Sequence, residues 1–275
     1  MTLDAPRLVH AGRSVAEIYD YGAHLWRWEL DGEAVLWTIR QTSTEHGKPL
    51  RGGVPICWPW FGPGRSGDLT PAHGFARISD WTLTEMVESS NTTALTYTLR
   101  PVDAPQALPG CDWLVTYEVS VGDSLQLTLT VSNVGEVAFS YELALHTYLA
   151  VGDVRQVSVA GLDGAAYLDK VTGRRERQTG DVTITAETDR VYDRSGEVLV
   201  SDPERGRRTR ISTQGAANTV VWNPWIAKSR AMPDFGDDEW TGMLCIEAGN
   251  VLENAVPLGP GDSRSLSYAV EVAVP

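Results

Sequence analysis

This 275-residue sequence is poor in cysteine and in basic residues, and it has no long apolar run. Its three cysteines, Cys57, Cys111 and Cys245, are odd in number and widely spaced. That speaks against a disulfide framework and offers no Cys-x-x-Cys spacing for zinc. Buried thiols in a reducing cytoplasm are expected instead. Lys and Arg number 23 against 36 Asp and Glu, a net charge of −13. A general nucleic-acid binder needs a basic footprint, and none is present. A local pair of arginines can still oppose the global charge, so small anionic ligands stay open. No apolar run approaches the roughly 18 residues of a membrane span. The start, Met1-Thr2-Leu3-Asp4-Ala5-Pro6, has no basic stretch followed by an apolar one, so no secretory leader is expected. Also missing is any long segment with a 3.6-residue period.

What is present is alternation. In Val115-Thr-Tyr117-Glu-Val119-Ser-Val121 every second residue is apolar, and the pattern resumes at Leu125-Gln-Leu127-Thr-Leu129-Thr-Val131. With Gly122-Asp123 between them, this reads as a hairpin. Leu95, Tyr97 and Leu99 give a preceding strand, and Leu266, Tyr268, Val270, Val272 and Val274 a terminal one. Shorter strand candidates are 25–30, 34–37, 154–159, 198–200, 209–212 and 219–222. Short helical turns are admissible at 85–90 and 228–232. The Arg-rich stretch 205–210 and the stretch 173–180 read as solvated hairpin ends. Apolar residues make up 42% and charged residues 21%, a globular composition. The expectation is an all-β chain, one domain over 1–275, with large antiparallel sheets packed as a sandwich. Ten Trp stand against four Phe; an aromatic face with one N–H donor suits a sugar cleft and a sandwich core equally.

Four segments read as neither plain strand nor plain turn. Arg51-Gly-Gly-Val-Pro-Ile-Cys-Trp-Pro-Trp-Phe-Gly62 is a shaped loop stiffened by proline and glycine. Arg51 at its head is either an anion ligand or a surface residue beside an edge strand. In Pro71-Ala-His73-Gly-Phe-Ala-Arg77, Gly74 permits close backbone approach; His73 and Arg77 are ligand groups or a loop pair in solvent. No second donor stands at metal-ligand spacing from His73, and no metal is expected. Tyr141-Glu-Leu-Ala-Leu-His146-Thr-Tyr-Leu149, read as a strand, places His146 with Ala144 and Tyr148, away from the leucines. His146 is thus a proton-transfer group or a hydrogen-bonded structural one. In Thr241-Gly-Met-Leu-Cys-Ile-Glu247-Ala-Gly249, Glu247 ends an apolar run buried on both faces. A carboxylate there is costly unless paired, which marks a functional group or a structural ion pair with an Arg. Asp189, in Thr188-Asp-Arg-Val-Tyr192, orients a ligand or caps a turn.

Together with Val-Trp222-Asn-Pro-Trp225, these segments resemble the D-hexose-6-phosphate mutarotases, or glucose-6-phosphate 1-epimerases, of the aldose-1-epimerase superfamily. Six motifs fall in the same order, and the resemblance runs from about Gly22 to Val274. It implies a galactose-mutarotase-like β-supersandwich with the ligand on a concave sheet face. It implies that His146 is the general acid and Glu247 the general base. Arg51 and Arg77 would hold the sugar phosphate, and His73 and Asp189 would line the sugar site. Some relatives carry Gln before the His-Gly pair where this chain has Ala72, so one ligand hydrogen bond would be missing.

The chemistry so implied needs no cofactor. An aldose changes anomer by opening to the aldehyde, turning about C1–C2 and reclosing, with one proton leaving the C1 hydroxyl and one reaching the ring oxygen. A carboxylate and an imidazolium on two strands suffice. A sugar ring between them calls for a gap of several Å and not a direct ion pair. The expected partner is a small sugar phosphate, with no nucleic acid or membrane, and the expected state is a monomer. A non-catalytic carbohydrate-binding or phosphosugar-sensing protein shares the sandwich and the aromatics. Glycoside hydrolysis would need two carboxylates about 5 to 9.5 Å apart, and only Glu247 stands out.

Overall fold

The computed structural model describes residues 2–273 except 43, 104–107 and 109; Val274, expected in the terminal strand, lies outside them. The alternating segments pair as expected. Trp113–Val121 and Ser124–Asn133 form an antiparallel hairpin around Gly122-Asp123. Their inward residues, among them Val115, Tyr117, Leu127 and Leu129, are buried. Thr93–Leu99 and Thr82–Glu88 extend this hairpin on one side. On the other side follow Ser263–Ala273, Arg207–Gln214, Glu197–Asp202, Ser158–Ala160 and Val182–Thr183, making nine strands.

An eight-stranded sheet forms the other principal layer. Its order is Arg174–Arg177, Ala166–Asp169, Thr188–Tyr192, Asn218–Asn223, Met243–Asn250, Leu143–Leu145 and Ile56–Cys57, and Tyr148–Ala150 also pairs with Met243–Asn250. The strand Met243–Asn250 is buried along nearly its whole length because it carries load on both faces. One face joins the main core with residues of the nine-stranded sheet, and the Tyr268 hydroxyl donates across the layers to the Ile246 carbonyl at 2.7 Å. The opposite face carries a small separate cluster of Cys57, Phe61, Ala144, Val191, Val220 and Val251. Registers place Ala144, Val191 and Val220 on the same side as Glu247, so this cluster lies under the candidate site.

Four local expectations are corrected. Residues 34–37 are not a strand: the regular pairing is only Glu33–Ala34. Residues 154–159 start as a 3-10 turn, Val154–Gln156, in which the Arg155 amide donates to the Asp153 carboxylate, before Ser158–Ala160. Residues 85–88 belong to the strand Thr82–Glu88, whereas 228–231 do fall in the helix Trp225–Ala231. The stretch 205–210 is not all solvated. Arg207 is buried and donates to the carbonyls of Ala34 and Ala150.

Candidate active site

The two residues singled out for proton transfer are cross-strand neighbours. Leu145 pairs with Ala248 and Tyr148 with Cys245, which leaves His146 opposite Glu247. Opposed residues on one face of an antiparallel pair have Cβ atoms about 5 Å apart. Accordingly His146 Nε2 lies 3.3 Å from Glu247 Oε1. This corrects the expectation of a gap of several Å, and it replaces an Arg with His146 as the ion-pair partner of Glu247. The backbone ladder opens at this point, where the His146 amide donates to the Pro55 carbonyl at 3.0 Å. Glu247 is 1% exposed and His146 8%.

Burial, then the charge of Asp189, pushes the Glu247 carboxyl well above its ordinary range, against a smaller opposing effect of Lys170. Burial, then the charges of Arg77 and Arg51, pushes His146 well below its ordinary value. The two directions agree: the pair keeps one proton and favours the neutral tautomer, with that proton on Glu247. His146 Nδ1 and Glu247 Oε2 are both buried and have no hydrogen-bond partner among the described residues. Such atoms are costly unless a ligand completes them.

Around the pair, aromatic rings fix orientation. Tyr148 stacks on His146 at 4.7 Å and 13°, and Trp222 meets His146 edge-on at 5.9 Å. The Tyr148 hydroxyl accepts from Arg51 Nη1 at 3.2 Å. Arg51 also holds Asp234 Oδ2 through Nε at 3.1 Å and Nη2 at 2.6 Å. Burial opposes the Arg51 charge, but Tyr148 and Asp234 outweigh it and hold its proton more tightly than usual. Arg77 donates to the Ala72 carbonyl at 2.5 Å, while its Nε is buried with no partner among the described residues. Burial lowers Arg77 from its ordinary value, and Arg51 adds to this.

His73 and Gly74 both take positive φ, +65° and +73°. Glycine is required at the second: a Cβ there would fall 2.0 Å from the Trp58 carbonyl oxygen. This turn lets the Gly62 amide donate to His73 Nδ1 at 3.3 Å, which leaves Nε2 as the N–H donor. The His73 ring lies 5.7 Å from that of His146. Burial, then Arg77, pushes His73 well below its ordinary value. On the other flank, the Lys170 amide donates to the Asp189 carbonyl, and Lys170 Nζ lies 3.5 Å from Asp189 Oδ2. The same ammonium stands 5.0 Å from the Phe61 ring centroid.

Residues 5–271 match the aldose 1-epimerase family. The chain is an aldose 1-epimerase family member. It is 38% identical over 230 residues to an Escherichia coli (strain K12) protein named "Putative glucose-6-phosphate 1-epimerase", covering 82% of this chain and 76% of that one. It is 34% identical over 260 residues to a Cenchrus ciliaris protein of the same name, covering 90% and 78%. The crystal structure of a "putative mutarotase" from Salmonella typhimurium superposes with a TM-score of 0.90 at 32% identity, covering 98% of this chain and 90% of that one. The fold is therefore the large antiparallel sandwich of the mutarotases.

Within this family member, all six residues expected at the site, Arg51, His73, Arg77, His146, Asp189 and Glu247, fall in one mutually interacting cluster. Four others were missed. Lys170 reaches Asp189 only because strand pairing sets them side by side. Asp234 sits in an irregular segment with no distinguishing pattern. Strand spacing puts Tyr148 on the face of His146 but assigns it no role, and nothing in the spacing of Trp222 marks it as a ring contact of His146. No helix among the described residues is long and apolar enough to cross a membrane.

Proposed function

We propose that this protein interconverts the α and β anomers of hexose 6-phosphates, glucose 6-phosphate foremost, without a cofactor. It would act as a monomeric single-domain isomerase, with His146 and Glu247 as the acid–base pair. The observation that carries this reading is the buried His146–Glu247 contact beside two guanidiniums, in a chain of the aldose 1-epimerase family.

In the proposed cycle, Arg51 and Arg77 take the phosphate and the sugar enters between the pair. The 3.3 Å contact is then a resting state. The sugar replaces it with two hydrogen bonds, O1–H to Glu247 and His146 N–H to O5. Burial holds His146 neutral and the charges of Arg77 and Arg51 add to this; the phosphate dianion offsets those charges and the sugar's hydrogen bonds replace part of the lost solvation, so the shared proton moves from Glu247 to His146. Glu247 then accepts the O1 proton, His146 delivers its own to O5, and the C1–O5 bond breaks to give the aldehyde. Rotation about C1–C2 and the reverse proton movements close the other anomer. His73 Nε2–H and the Asp189–Lys170 pair face sugar hydroxyls, whose donors and acceptors they match.

The test follows relaxation of freshly dissolved α-glucose 6-phosphate by polarimetry, with and without protein. Acceleration proportional to protein concentration is expected. Saturable binding of glucose 6-phosphate without acceleration would move the reading to a phosphosugar-binding protein.

A further inference from the structure

The same face of the sheet carries a third donor that the proposed cycle does not use. Cys245 precedes Glu247 by two residues on one strand and pairs with Tyr148, so its thiol lies on the side of His146 and Glu247. One ligand atom from each of His146, Cys245 and Glu247 lies within 4.8 Å of the others, and all three residues are buried. We propose that these three side chains form a binding site for a zinc-class divalent cation, and that metal bound there shuts the site to sugar.

Imidazole, thiolate and carboxylate are the donor types zinc takes, and three protein ligands leave a fourth position for water. Zinc bonds of about 2.0 to 2.3 Å at tetrahedral angles set donors about 3.5 Å apart. His146 Nε2 and Glu247 Oε1 already meet that at 3.3 Å. The Cys245 sulfur, within 4.8 Å of the other two donors, needs to close by at most about 1.3 Å, within reach of a side-chain rotation. A second observation points to a ligand: Glu247 Oε2, the second oxygen of the carboxylate donor, is buried with no hydrogen-bond partner among the described residues. Charge also balances. A divalent cation with a thiolate and a carboxylate forms a neutral group, which a buried site tolerates far better than a bare charge. Nearby Arg51, Arg77 and Lys170 oppose the incoming cation and Asp189 favours it. Binding releases the thiol proton and the proton held by the pair. Helical or loop spacing could not reveal the set, because His146 is brought to the other two by strand register alone.

Metal binding is tested independently of turnover; only the inhibition clause rests on the proposed function. Metal-free protein is titrated with Zn2+ by calorimetry and with Co2+ by absorption. Saturable uptake of a single cation per chain is expected, with a thiolate-to-cobalt charge-transfer band. Cys245→Ala should abolish that band and weaken Zn2+ by more than about 100-fold, beyond what loss of an outer-shell partner costs. Cys245→Ser, checked by thermal melting, guards against a misfolded alanine variant. Zn2+ should inhibit wild-type mutarotation and leave Cys245→Ala active at its metal-free rate. Failure of the wild type to bind at millimolar metal overturns the proposal. So does uptake without the band, or a band that survives in both Cys245 variants. A wild type without mutarotation would refute the proposed function, while the cobalt band would still decide the metal site.

Discussion

Replacing Glu247 with Gln tests both its chemistry and its electrostatics. The side chain keeps its shape, so packing beside Val220 on the neighbouring strand is retained. It loses the ability to accept the O1 proton. A positioned general base contributes roughly 100- to 10,000-fold, so mutarotation should fall at least about 100-fold, about 2.7 kcal/mol in the barrier. Stability should move the other way. The folded protein binds the Glu247 proton more tightly than the unfolded chain, because burial, and then Asp189, raises its proton affinity. Stability from this group is therefore lost as pH rises from the ordinary carboxylate range through the raised value. His146 is shifted the opposite way, but it is present in both proteins and largely cancels in their difference. The melting temperature of Glu247→Gln should exceed that of wild type by a margin that grows from pH 5 to pH 8. Polarimetry at matched pH reads the rate, and scanning calorimetry reads the margin. Near-normal turnover would remove Glu247 as the base. A margin that shrinks with rising pH would refute the direction of its shift.

His146→Asn should also slow mutarotation at least about 100-fold, and the double variant with Glu247→Gln should be little slower than either single one, because each group needs the other; additive losses in polarimetry would separate them. Arg77→Ala should raise KM for glucose 6-phosphate far more than for free glucose, and the difference should shrink at high salt. Equal losses on both sugars would place phosphate recognition elsewhere. Gly74→Ala, which would drive a Cβ to 2.0 Å from the Trp58 carbonyl at positive φ, should cost about 2 kcal/mol or more, read by denaturant unfolding.

The strands that alternate were legible because one face of each is buried and the other is not. Trp113–Val121 shows this directly, with its alternately buried residues. The strand Met243–Asn250 was legible as buried on both faces, and so Glu247 stood out as a charge in an apolar run. What could not be read was register. Whether His146 faces Glu247 depends on Leu145 meeting Ala248, a pairing between residues about a hundred positions apart. The same limit hid the neighbourhood of Lys170 and Asp189, and the approach of Cys245 to His146. Short irregular pieces failed for a different reason. At Val154–Gln156, the Asp153 carboxylate accepts from the Arg155 amide, and this local hydrogen bond overrides the apolar pattern. At Arg207, two backbone carbonyls provide enough acceptors to bury a guanidinium that composition assigns to solvent.

The near-complete burial of Glu247 and His146 has a consequence for how a turnover ends. Most acid–base sites must recharge from water after each event, and so they keep a wet path to the surface. Anomer interconversion is different, because the reactant and product have the same composition and the same charge. In the proposed cycle the proton lent to O5 comes back on reclosure, and the one taken from O1 returns to a C1 hydroxyl. The pair ends each cycle as it began, with no proton drawn from bulk solvent. A dry acid–base pair, a handicap for a hydrolase that must consume water, is therefore compatible with continuous turnover here.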